Sequence, residues 1–547
     1  MTAVETLETD VLVIGGGITG HRAAIAAHAA GARVLMVFLA RGASPYVIGC
    51  NAPIGHADRR DNPAAYFDDM VRGGYGLNDR RLVEAMCANM GEAYWELAAL
   101  GVPFAADGGR VRQRRLSGNS FARSVYVPEG VGLAILNALA DRARSLGIDM
   151  LAGWKAVSLL EDDHEVVGAL AWRRHGERLA EIRARSVVLA SGGIGRLYDD
   201  STYPTDVLSN SYGLGFRAGA RLVDMEFVQF EPVVTIWPPE CRGMEMPTAM
   251  LAEGAQLING NGDRFMMRHN PGTAEVGIEK ARLALFIQSE IDAGAGLSDG
   301  SVVFDTTHVP PALLEGYVSH CRRLRAAGLE PRERGPHVRP AAHSQMGGLF
   351  IDANGFTGVP GLHAGGEAAG GVHGASRIAG NGCSDTVVFG SLAGRGAAAG
   401  MLPAKGRDWP RILERALAPI KAHLGPGAGS PVQDAKEALR RLMVRHVGIR
   451  RERSSLQEGI DGIRALLAEL DAASGARTLG AAVETFEARD VARVALMIAT
   501  AALARTESRG AHHRRDHPTQ DDANWLRHIG FRRDASGGIL TEDIPIH

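Results

Sequence analysis

Residues 10–39 constrain the fold more than any other stretch. A short apolar run at 10–14 reads as a buried parallel strand. It meets Gly15, Gly16, Gly17 and Gly20, and an Ala-rich segment at 21–31 then has the pattern of a helix. A second apolar run at 33–39 reads as another strand. Strand, glycine turn, helix, strand is a βαβ unit in the order a dinucleotide fold requires. Gly15, Gly17 and Gly20 give GxGxxG. The first glycine makes the turn, the second admits a pyrophosphate against the backbone, and the third lets helix and strand pack closely. The helix N-terminus favours the anion. A carboxylate usually ends the second strand and holds a ribose, but Phe38 stands there, which argues against simple NAD binding.

The rest of the chain places this unit in a larger whole. At 547 residues it is too long for one ordinary core. Helical patterns fill much of 63–100 and 132–147. Residues 186–190 read as a buried strand ending in Ser191 and Gly192. Strands are expected at 348–352 and 361–364, and a helix at 385–400. From 409 to 504 the pattern is helical, with a Pro/Gly/Ser linker at 425–430. The expected class is α/β: a Rossmann-like nucleotide-binding domain in two parts (1–225 and 346–404), an α+β insertion (226–345), and a C-terminal helical domain with a tail (405–547).

Composition excludes several functions. A net charge of -2 argues against a nucleic-acid binder working through a basic face. Cys50, Cys87, Cys241, Cys321 and Cys383 are scattered, without the local spacing of an iron–sulfur or zinc site, and suit a reduced cytoplasmic protein. The N-terminus lacks the basic start and long apolar core of a signal peptide. The most apolar helical stretch, 494–504, is too short to span a bilayer.

Longer motifs then point to one family. Residues 361–394 read GLHAGGEAAGGVHGASRIAGNGCSDTVVFGSLAG, 505–518 read RTESRGAHHRRDHP, 225–232 read MEFVQFEP, 343–348 read HSQMGG and 443–450 read MVRHVGIR. Together, and in their order along the chain, they resemble the succinate dehydrogenase/fumarate reductase flavoproteins, which include L-aspartate oxidase. The resemblance implies an FAD-dependent oxidoreductase that moves a hydride between flavin and a small carboxylate-bearing substrate, with the insertion acting as a capping domain. It implies FAD contacts at Gly15, Gly17, Gly20, Ser191, Gly192, Glu367, Asn381 and Ser384, with Glu367 on the sugar chain. Many members link FAD covalently to a histidine. The matching residue is Tyr46, which implies non-covalent FAD. The resemblance also raises the reading of a flavoprotein that is one subunit of a complex and is served by a separate iron–sulfur protein.

The substrate site departs from the family pattern. His343 matches the histidine of HxxMGG, and Arg377 matches the arginine of HGANR. A guanidinium suits a carboxylate because its planar fork donates two hydrogen bonds. The histidine of QFHP, however, is replaced by Glu231. The family's Thr-Glu pair falls on Pro247-Thr248, a carboxylate-binding arginine on Leu251, and the proton-passing arginine on Glu279. A dicarboxylate beside Glu231 and Glu279 would meet like charges at a cost on the order of several kcal/mol. The expectation is therefore one carboxylate on Arg377 and His343, a neutral or cationic group facing Glu231, and Glu231 or Lys280 as the base. The fully conventional alternative is L-aspartate oxidase or fumarate reductase proper. His512, His513 and His517 sit close in sequence; they are expected at an interdomain surface, with no metal bound.

Overall fold

The structure is a computed structural model that describes residues 4–128, 130–207, 210–426 and 432–546. Most of the expected 425–430 linker lies outside the described residues. The glycine turn opens a five-stranded parallel sheet in the order Leu362–Ala364, Ser186–Leu189, Val11–Ile14, Val34–Phe38, Asp149–Ala152. The central strands are buried on both faces, which is why they read as unbroken apolar runs. Helix Ile18–Ala29 follows the turn. A Cβ on Gly20 would overlap the carbonyl oxygen of Gly15, so the third glycine is where helix and turn touch through backbone.

A second close approach joins the distant halves of this domain. Helix Asn381–Ala399 packs along helix Ile18–Ala29. A side chain on Gly390 would strike the Thr19 backbone, and one on Gly394 would overlap the backbone of Ala23. The later helix begins four residues before its expected start. Gly380, at φ 93°, turns the chain left-handed, and the helix starts immediately after it.

The insertion forms the α+β capping domain. Its antiparallel sheet runs Val228–Trp237, His337–Gln345, Val302–Asp305, Gln256–Ile258. It encloses a separate core that includes Met250, Leu257, Phe265, Ile287, Phe304 and Leu324. Helix Lys280–Asp292 packs on the first two strands.

The C-terminal region supplies helices Trp409–Lys421, Val432–His446, Arg453–Ala472 and Leu479–Ala504. Among the described residues no helix is long and apolar enough to cross a membrane. Two features differ from the sequence expectation. Residues 155–183 form three antiparallel strands, edged by Val4–Glu8. The tail is a hairpin, Arg527–Arg533 with Ile539–Pro545, and it extends a sheet containing Leu222–Val223 and Gly348–Phe350. The C-terminus is thereby tied back to the nucleotide-binding domain. A buried charge network reinforces the tie: Arg505 holds Glu226 at 2.6 Å and Glu507 at 3.1 Å, and Arg509 also holds Glu507. His512 lies inside this network rather than on a surface. It accepts from Arg451 at 2.7 Å and contacts the Arg505 carbonyl at 3.2 Å. Burial, then the Arg451 and Arg505 charges, hold its pKa well below the usual value.

These contacts give two opposite expectations. Gly394→Val should cost about 2 kcal/mol or more, because neither backbone can yield. Gly91 lies in helix Arg80–Ala99 with open space around it. Gly91→Ala should be neutral or stabilise by up to about 1 kcal/mol. Thermal unfolding of the two variants checks both.

Candidate active site

One cavity of about 1550 Å³ runs from the glycine turn to the capping domain. That exceeds the usual size of a small-ligand pocket and leaves space for a dinucleotide with a small substrate beside it. Two helices point their N-termini at it. The start of helix Ile18–Ala29, at Gly15 and Gly17, lines the wall, as do Gly380 and Gly382 at the start of helix Asn381–Ala399. In neither helix does an N-cap side chain cover the start, so both offer backbone N–H groups and the positive end of a helix dipole to an anion.

The expected cofactor residues take distinct places. Gly15, Gly17, Ser191, Gly192 and Glu367 line the cavity, while Gly20 works behind the wall as the packing contact described above. The Asn381 and Ser384 side chains turn inward. Asn381 Oδ1 accepts from Asn51 at 2.6 Å and from the Tyr66 hydroxyl at 2.7 Å, and Ser384 Oγ donates to the Asn51 carbonyl at 2.7 Å. They brace the helix start, whose cavity face is Gly380, Gly382 and Cys383. Glu367 receives the Gln345 N–H at 2.9 Å, the Ser344 hydroxyl at 3.1 Å and the Tyr203 hydroxyl, all on Oε1. Its Oε2 has no protein donor among the described residues. Burial raises its pKa, and a hydroxyl-bearing ligand at Oε2 would satisfy it. These features fit FAD: anion sites at two helix starts and a carboxylate with one oxygen free for a sugar hydroxyl.

At the capping end, strand Val228–Trp237 carries Glu231 and strand His337–Gln345 carries His343. Both residues face the cavity. Lys280, the first residue of its helix, places Nζ 2.7 Å from both Glu231 oxygens. Glu245, which nothing in the sequence singles out, enters through a β-bridge to Val234. Its Oε1 lies 3.1 Å from His343 Nδ1, and Thr202 Oγ1 lies 3.0 Å from the same nitrogen. Burial pushes the Glu245 carboxyl up, but His343, Lys280 and Arg377 outweigh it and hold it at about 2. Glu231, Glu245 and His343 each offer an atom within 4.8 Å of the others, a spacing that also suits a metal. Here Lys280 already supplies the cation on Glu231.

Arg377 approaches from the nucleotide-binding domain. Its Nη2 donates to Gln229 Oε1 at 2.9 Å, and the Gln229 amide returns a bond to the Arg377 carbonyl at 3.1 Å. Its Nε is buried without a partner. Arg377 alone among the three basic groups here has no carboxylate within salt-bridge distance among the described residues. Glu279 lies outside the cavity wall. It stands at the N-cap position of its helix without a side-chain capping bond, accepts from the Tyr75 hydroxyl and lies 3.5 Å from Ser376 Oγ.

Comparison with known proteins agrees with this geometry. The FAD binding domain model matches residues 10–383, and the fumarate reductase flavoprotein C-terminal model matches 436–544. The chain belongs to the succinate dehydrogenase/fumarate reductase flavoprotein family. It is 32% identical to a fumarate reductase (CoM/CoB) chain of Methanothermobacter marburgensis, over 97% of this chain and 98% of that one. It is 33% identical to an L-aspartate oxidase of Caulobacter vibrioides, over 93% and 94%. Its fold matches the quinol fumarate reductase flavoprotein of E. coli with a TM-score of 0.90 at 27% identity, covering 99% and 97%. The protein is therefore an FAD-dependent oxidoreductase of this family.

The ion pairs make a testable claim on stability. Glu231 is buried and Lys280 mostly so. Lys280→Met should destabilise the protein by about 2–3 kcal/mol by stranding the carboxylate. Adding Glu231→Gln should restore most of that loss. Thermal unfolding of the single and double variants measures the coupling.

Proposed function

We propose that this enzyme acts on a small substrate bearing one carboxylate rather than two. The observation that carries this reading is the unpaired guanidinium of Arg377. Lys280 is neutralised by Glu231 and His343 lies against Glu245, so of these three basic groups Arg377 alone is left without a carboxylate partner. A second substrate carboxylate would lie among Glu231 and Glu245 without a free cation. Both Glu231 oxygens are occupied by Lys280, so the rest of the substrate is best neutral, and the ammonium group considered from sequence has no open carboxylate there.

Bound FAD supplies the hydride acceptor or donor. The protein's own residues have separate tasks. Gln229 holds the Arg377 fork in place, Arg377 binds the substrate carboxylate, and the Glu231–Lys280 pair closes the far wall without adding net charge. Tyr46, exposed at the cavity edge, replaces the histidine used for covalent attachment. We read FAD as non-covalent, so acid precipitation should leave the flavin in the supernatant.

A second reading has its own support. All five cysteines are buried and unpaired, with no cluster spacing in the sequence, and several relatives are named as subunits. The acceptor would then be a separate iron–sulfur protein, in keeping with a cytoplasmic setting. Slow reoxidation of the reduced flavin by air would favour it, and fast reoxidation would favour an oxidase.

Anaerobic mixing with a panel of acids, read by loss of flavin absorbance, tests the substrate class. Monocarboxylates should bleach the flavin, and succinate and aspartate should not. Arg377→Met should raise the half-saturating concentration about 10–100-fold, the worth of a charge-assisted pair. Efficient bleaching by succinate or aspartate overturns the reading.

A further inference from the structure

We infer that His343 exchanges the substrate proton at Nε2, with Glu245 as the positioning residue that fixes its tautomer; this rests on the substrate reading above. The argument is one of hydrogen-bond roles. Nδ1 has two neighbours, Glu245 Oε1 at 3.1 Å and Thr202 Oγ1 at 3.0 Å. The carboxylate can only accept. The Thr202 hydroxyl has its own acceptor in the Ala342 carbonyl at 3.5 Å, which leaves its lone pairs for the imidazole. Nδ1 therefore carries the hydrogen. In the neutral ring, Nε2 is then a lone pair. His343 lines the cavity, and its Nε2 has no protein partner among the described residues.

This inverts the role that sequence resemblance gives to His343. A histidine that binds a substrate carboxylate must donate to it. Neutral His343 cannot donate from Nε2, but it can accept a proton there. As the substrate is oxidised, its C–H bond (or N–H, for an amine carbon) breaks toward Nε2 and an N–H bond forms. The electron pair released becomes the new double bond as hydride departs from the adjacent atom. The imidazolium so formed sits against Glu245, which stabilises it as a second carboxylate–histidine interaction does elsewhere. In the reverse direction the same nitrogen returns the proton.

The charged groups around His343 come from every packed element. Glu231 and Lys280 face it from the adjacent strand and helix. Arg377 and Glu367 face it from the nucleotide-binding domain, and His320 holds the Glu245 carbonyl at 3.1 Å from a capping helix. Lys280 is the competing base. It is held as an ammonium between two carboxylate oxygens, so it has no lone pair to offer.

Two measurements on the FAD-loaded protein test the inference. The first is histidine-ring 15N NMR, with His343 signals found by difference from His343→Asn. Wild type should show a ring protonated at Nδ1, and Glu245→Gln should lose that preference. The second is the pH profile of flavin reduction by a saturating monocarboxylate. Glu245→Gln should lower the limiting rate about 10–100-fold with half-saturation within about threefold of wild type. It should also move the acidic limb to lower pH, and His343→Gln should abolish that limb. A ring protonated at Nε2 overturns the inference, as does a Glu245→Gln effect confined to half-saturation. If no monocarboxylate reduces the flavin, the substrate reading fails, while the NMR result still decides the tautomer.

Discussion

The contact on which the molecule depends is backbone against backbone. Helices Ile18–Ala29 and Asn381–Ala399 lie more than 350 residues apart in the chain and touch where Gly390 and Gly394 leave no side chain between them. The contact aims two helix starts at one cavity. Separated by even one methyl group, they would no longer converge on a single ligand. The capping domain and the C-terminal hairpin are secured around this pair, the hairpin through the sheet it shares with Leu222–Val223 and the helices through the buried Arg505–Glu226 pair.

Charge pairing shapes the substrate end. The loss of basic residues read from the sequence suggests a crowded acidic pocket, but the structure shows a balanced one. Glu231 is answered by Lys280, and Glu245 by His343. A desolvated ion pair such as Glu231–Lys280 contributes little net stability, yet it is costly to break. The two pairings fix which group remains free, and Arg377 is that group. Specificity here comes from the subtraction of available charge as much as from the contacts offered.

The legible parts of the sequence were those governed by local rules. The glycine turn and the buried strands follow from spacing and apolar runs over a few residues, and the Glu367 turn from the motif that carries the family resemblance. The illegible parts depend on distant neighbours. Glu245 reaches the site only because its segment bridges to Val234, and nothing in its flanking residues marks it. Glu279 and Lys280 are adjacent in sequence, but the helix start sends one to Tyr75 and the other to Glu231. The hairpin at 527–545 pairs locally with itself, and only its docking on a two-residue strand about three hundred residues upstream is hidden from the sequence. Asn381 and Ser384 show the same limit: their motif places them beside the cavity, and only packing reveals that their side chains turn toward Asn51.

Glu231, Glu245, Lys280 and His343 are all carried by the capping domain's first two strands, a segment bridged to them and the helix packed on them. Arg377 belongs to the opposite body. Gln229, on the first of those strands, ties Arg377 to the cap by two hydrogen bonds, so a rocking motion that carried the four as one cassette would have to break these bonds before the gap to Arg377 could open. A substrate whose carboxylate lies on Arg377 and whose reacting carbon lies at His343 would then act as a strut across that gap. Its length, rather than its charge, would determine how far the enzyme shuts.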